Sequence, residues 1–119
     1  MALEVWTARI STRDPDAFNV TRKTGDKIFA PSWALLGPAI RRRREGYVQT
    51  EADWKDYASK YLTEMARSRR LNPAAWEALL ARQRVVLVCY CPNPQKCHRR
   101  ILARILASLG ADDRGELPV

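Results

Sequence analysis

Long apolar runs are missing from this chain of 119 residues. No stretch approaches the roughly 20 residues that a membrane span requires, and the N-terminus lacks a charged region followed by an apolar one, so neither a membrane helix nor a secretory leader is expected. Histidine occurs once and cysteine three times. An odd cysteine count cannot close a complete disulfide set, which favours a reducing, cytoplasmic setting where thiols pack, ligate or react. There is no Walker loop, no Gly-x-Gly-x-x-Gly, no His-Glu-x-x-His and no Cys-x-x-Cys pair. Internal repeats and low-complexity segments are lacking as well. These absences leave one domain, residues 1–119, of ordinary composition: 46% hydrophobic and 29% charged, too apolar for disorder.

Positive charge is what the chain has in excess. Lys and Arg number 21 against 13 Asp and Glu, a formal net charge of +8, which suits a polyanionic partner such as nucleic acid, nucleotides or an acidic protein. The charge is unevenly spread. Ser11 to Lys27 is a polar connection holding Arg13, Arg22, Lys23 and Lys27, with a brief edge strand expected around Phe18 to Thr21, and it reads as either a surface excursion or a binding loop. Arg41, Arg42, Arg43 and Arg44 form a run that is either a solvated face or a phosphate-contacting, nucleic-acid patch.

The elements follow from patterning. Leu3 to Ile10 has β-branched and aromatic residues on both parities and predicts a buried strand. Ser32 is placed to cap a short helix that Gly37-Pro38 breaks or kinks. Thr50 to Asp53 resembles a capping box opening an amphipathic helix, with Trp54, Tyr57, Tyr61, Leu62 and Met65 as its core stripe. Asn72-Pro73 opens a further helix carrying Trp76, Leu79 and Leu80. Val85 to Cys89 is an unbroken apolar run, the pattern of a central strand buried on both faces. Pro92 and Pro94 end its pairing, and Asn93-Pro94 predicts the start of a helix running to Leu109 and stopping at Gly110. The tail, Ala111 to Val119, shows no clear structure.

All three cysteines and the histidine lie in or beside this last strand-loop-helix joint. Cys89, Cys91, Cys97 and His98 are zinc-ligand types, but their spacing departs from paired Cys-x₂₋₄-Cys knuckles. Cys97 also continues the stripe of Ile101 and Ile105. Structural cysteines, metal ligands and a reactive thiol all stay open, with no stoichiometric zinc and no cofactor expected. Under the reactive reading the catalytic candidates are Cys91, Cys97, His98 and Arg99, since a helix start and neighbouring cations favour a thiolate. Under an anion-site reading Arg9, Arg13, Arg22, Lys23, Ser32, Lys96 and Arg99 hold a phosphate or carboxylate. Against it, Arg99 pairs with an acidic residue such as Asp14 or Glu116 and His98 caps a backbone carbonyl.

The string Val86-Leu87-Val88-Cys89-Tyr90-Cys91, followed by Cys97-His98-Arg99 and Leu102-Ala103, resembles the end motif of the family known as domain of unknown function 488. Ala30-Pro31-Ser32 with Leu35 or Leu36, and Trp54, Tyr57, Tyr61, Glu64 and Met65, are similar to segments of one branch of that family. The chain departs from it at Cys91, where many members have an acidic residue or another loop. The resemblance implies a small three-layer α/β domain with a Rossmann-like, mostly parallel sheet covered by helices, and brings no established activity. The expected function is binding or processing of nucleotide or nucleic acid at the Cys-His-Arg joint. The alternatives are a thiol- or metal-dependent enzyme acting on a small molecule and a basic adaptor for an acidic protein.

Overall fold

The two richest apolar runs become the inner strands of one sheet. A computed structural model describes residues 2–91 and 93–118. Among them the strands are β1 (Glu4–Arg9), β2 (Ala17–Asn19), β3 (Arg84–Cys89) and β4 (Asp112–Glu116), and the helices are α1 (Trp33–Arg44), α2 (Glu51–Leu71), α3 (Pro73–Leu80) and α4 (His98–Ser108). The sheet order is β2-β3-β1-β4 and every pairing is parallel. Val5 faces Val85 and Ala8 faces Val88 across β1 and β3, and Val85 to Val88 are at most 2% exposed, as expected of a strand covered on both faces. The fold is thus a small α/β domain with a Rossmann-like sheet. Among the described residues no helix is long and apolar enough to cross a membrane.

The pleat sorts the core in two. Val5, Val85 and Leu87 join Tyr61, Met65, Trp76, Leu79, Leu102 and Leu106 from the helices. On the opposite face the apolar partners of Ala8, Val86 and Val88 among the described residues are Trp6, Ile10 and Leu117. Among the described residues the apolar side chains that the helices bury thus lie on one face, and two packed layers stand where the resemblance implied three.

Parallel pairing of β2 requires the chain to retreat after β1, because Arg9 lies level with Cys89 while Ala17 lies level with Val86. Arg84 holds that retreat: its Nη1 donates to Asp14 Oδ1 at 2.8 Å and to Asp16 Oδ2 at 2.9 Å, and its Nη2 to Asp14 Oδ2 at 2.9 Å. The hydrogen bonds from Arg84 in turn hold the Asp14 carboxyl below the usual range.

Several expectations need correction. Gly37-Pro38 does not break α1, which is continuous from Trp33 to Arg44, so Arg41 to Arg44 form its last turn, where cations complement the helix dipole. Ser32 does cap it, its Oγ accepting from Leu35 N at 3.2 Å. Leu62 is 48% exposed, because the stripe of α2 narrows to Tyr61 and Met65. The last helix starts at His98: Pro94–Lys96 is a separate 3-10 turn capped by Asn93, and Cys97, extended at φ −138° and ψ 145°, is the N-cap of α4. Pro92 lies outside the described residues. Gly110, at φ 108°, ends α4 as expected.

The tail is structured after all. Asp112–Glu116 forms β4 despite having no β-branched or aromatic residue. Its register shifts where Val5 pairs Asp113 but Trp6 pairs Gly115. Gly115 takes φ 86° there, a conformation that a side chain would strain. Ion pairs from α4 secure the strand: Arg99 with Glu116 and Arg100 with Asp113, each at 2.8 Å.

Candidate functional site

A cavity of about 970 Å³ opens where β2 and β3 end, between α1 and α2. The carboxyl ends of parallel strands are where open α/β sheets gather ligands, since the loops there vary without disturbing the sheet. Cys89, Cys91, Cys97 and His98 line it from the strand-loop-helix joint, Trp54 and Tyr57 from α2, and Arg42 and Arg43 from α1. Trp54 and Tyr57 stack with centroids 5.7 Å apart and planes at 17°. Both sit near the start of α2. They are half-buried and line the cavity, and Trp54 also packs against the main core as expected of the stripe.

At the inner end, Cys89 and Cys97 are 1% exposed and His98 is 7% exposed. The two sulfurs and a His98 ring nitrogen lie within 4.8 Å of one another. His98 Nε2 is 2.8 Å from Val20 O. A carbonyl only accepts, so Nε2 carries the hydrogen and the neutral ring turns the Nδ1 lone pair toward Cys97 Sγ, 3.9 Å away. Burial pushes the His98 pKa down, and Tyr61 packs edge-on against its ring at 5.6 Å.

Arg99 stands behind the thiols, fully buried. Its Nη1 donates to Cys89 Sγ at 3.0 Å and to Cys91 O at 2.9 Å, while Nε and Nη2 grip Glu116 at 3.2 and 2.8 Å. Thr7 Oγ1 adds a hydrogen bond to Glu116 at 2.6 Å. Arg99 is therefore occupied by a carboxylate and a backbone carbonyl, and His98 caps another carbonyl: the arrangement weighed against the anion site. The thiols share charge unequally. Hydrogen bonding from Cys89 and Cys97, with Arg43 Nη2 3.9 Å away, drives Cys91 down to about 2. Hydrogen bonding within the trio pushes Cys97 far up, and Cys91 raises Cys89. Cys91 is the half-buried member of the three and lines the cavity.

Of the other residues singled out in the sequence, Arg22, Lys23 and Lys96 line this cavity. Arg22 Nε is tied to Pro31 O at 2.9 Å and Lys96 Nζ pairs with Glu51 at 2.9 Å. Arg9 and Arg13 are exposed and lie outside the lining, because the cavity forms after β2 and β3 and not after β1. Ser32 is outside it too, its backbone N and Oγ bound to Glu64. The arginine run is divided by helical rotation: Arg42 and Arg43 line the cavity, Arg41 and Arg44 do not. Of the two acids weighed as partners of Arg99, Glu116 holds it and Asp14 pairs with Arg84, although the tail that carries Glu116 has no strand signal of its own.

Fold and site together define a small parallel α/β domain whose Cys-His-Arg joint stands at the ligand edge of the sheet. A match to the family model described as the active DUF488-N3 subclade spans residues 3–110, and the chain belongs to that family. No match to this chain was found among the curated proteins or the solved structures.

Proposed function

We propose that the protein binds a nucleotide-class anion in this cavity, either a free nucleotide or one exposed nucleotide of a strand. The observation that carries the reading is that one cavity presents the stacked Trp54–Tyr57 pair together with Arg42, Arg43, Arg22 and Lys23. Aromatic faces hold a base without demanding its identity, and arginine forks match phosphate oxygens. About 970 Å³ sits at the upper end of the usual range for small-molecule sites. Calorimetric titration with nucleoside mono- and triphosphates and a short single-stranded oligonucleotide tests the proposal. Trp54→Ala should weaken binding by about 1–3 kcal/mol in protein that circular dichroism shows to be folded. Absence of heat for every one of these probes at millimolar concentration would overturn it.

A thiol- or metal-dependent reaction on the same ligand is favoured by one further observation, the convergence of three thiols and His98 at the inner end of the cavity. The family's description as active agrees with it. If it holds, Cys91→Ser retains ligand binding and loses turnover.

A further inference from the structure

We propose that Cys89, Cys97 and His98 are ligands of a soft divalent metal ion, zinc foremost, whose fourth position is left to water or a cavity ligand. Two thiols and an imidazole are a zinc ligand set, and thiolate with imidazole excludes the hard cations that want oxygen. The geometry is close to assembled. In a tetrahedral site with Zn–S about 2.3 Å and Zn–N about 2.0 Å, ligand atoms stand about 3.5 Å apart. Here the three lie within 4.8 Å and Cys97 Sγ is 3.9 Å from His98 Nδ1, so sub-ångström rotations suffice.

The surroundings are those a metal site needs. A ligating histidine usually donates its other ring N–H to a fixed acceptor, which sets its tautomer and orientation. Val20 O accepts from Nε2 at 2.8 Å and does this for His98. Arg99 Nη1 points at Cys89 Sγ from 3.0 Å, the N–H···S contact that steadies a metal-bound thiolate, and Glu116 locks Arg99 in place. Simple packing of small hydrophobes accounts for neither the Nδ1 lone pair aimed at a thiol nor a buried guanidinium aimed at another. The rigid frame also removes the objection from spacing: Cys89 ends β3, Cys97 caps α4 and His98 begins it, and the 3-10 turn at Pro94–Lys96 folds the intervening chain back. The sheet and helix, not a knuckle, bring the ligands together.

This site stands or falls independently of what fills the cavity, because its test uses the metal alone. Protein purified without a metal-affinity tag is analysed for zinc, stripped with a chelator, confirmed folded by circular dichroism, and titrated with Co²⁺ and then Zn²⁺. Stoichiometric zinc, and a cobalt spectrum with intense tetrahedral bands and thiolate-to-cobalt charge transfer that zinc abolishes, are expected. His98→Ala and Cys97→Ser should each weaken Co²⁺ binding by about 100-fold or more, whereas Arg41→Ser should leave it within about threefold, because Arg41 is exposed and outside both the ligand set and the cavity lining. Should His98→Ala fail to fold, competition of the stripped native protein with a chromogenic chelator supplies the affinity. A folded, reduced native protein that takes up no cobalt, or gives only the weak spectrum of octahedral cobalt, overturns the proposal.

Discussion

Glu116 shows how much one side chain decides here. Its carboxylate is the counter-ion of a fully buried arginine and accepts from Thr7 as well, and Arg99 in turn steadies Cys89 and the backbone at Cys91. Burial pushes the Glu116 pKa up, but the hydrogen bonds from Arg99 and Thr7 and the charges of Arg99 and Arg100 outweigh it, so it lies below the ordinary value. A depressed pKa contributes stability that is present in full above the unfolded value, about 4.3, and is lost as pH falls through the folded one. Glu116→Gln should therefore cost about 2–3 kcal/mol at neutral pH, somewhat less than a wholly enclosed pair because the carboxylate keeps some solvent contact. The gap between native protein and variant should narrow as pH drops below about 4.3; urea melts across that range measure it. A constant gap would place the stabilisation elsewhere. Arg99 was legible as important from its place in the Cys-His-Arg motif, but not its direction: a motif does not say whether a guanidinium faces ligand or core.

At the scale of elements, α1 forms one wall of the cavity with no buried residue of its own among those described. It survives an interior proline. Pro38 removes the hydrogen bond to the carbonyl four residues back and costs up to about 3 kcal/mol. Its ring also crowds any Cβ on the preceding residue in the helical region, and Gly37 has none. Pro38→Ala should raise stability by about 1–3 kcal/mol. Gly37→Ala should add about 0.5–1 kcal/mol only once Pro38 is gone, since open space surrounds position 37; a double-mutant cycle by denaturant melts reads the coupling. Additive gains would mean that Gly37 is not what lets the helix pass through the proline. The sequence signal for a break was physically sound, and what overrode it was the Ser32 cap on one side and the wall position opposite α2 on the other.

For the whole molecule, the charge of +8 matters where it is focused. Arg42 and Arg43 face the cavity and Arg41 and Arg44 do not. Binding of a single strand should therefore show a salt slope that flattens by about 0.7 for each phosphate that Arg42→Ser or Arg43→Ser leaves without its guanidinium. Arg41→Ser and Arg44→Ser should leave the slope unchanged. Equal effects from all four, measured by fluorescence anisotropy across a salt series, would mean the whole turn acts as a diffuse field and the strand does not enter the cavity.

The chain's local chemistry was enough for β1, β3, α2, α3 and the core of α4, because each carries its own period, caps or apolar run. Val85 to Val88 are buried on both faces as their composition demands, and the Thr50–Asp53 capping box forms. The rest depended on partners distant in sequence. β4 exists because β1 offers an open edge and α4 offers Arg99 and Arg100 to its acids, a gain no propensity in Asp112–Glu116 records. Trp54 and Tyr57 line the cavity while Trp54 also meets the core, because helical spacing is the same for a side chain that meets the core and for one that meets an opening. Cys89, Cys97 and His98 meet because a strand end and a helix start share one corner of the fold; a linear spacing of residues cannot express that convergence, which only the packing of β3 against α4 creates.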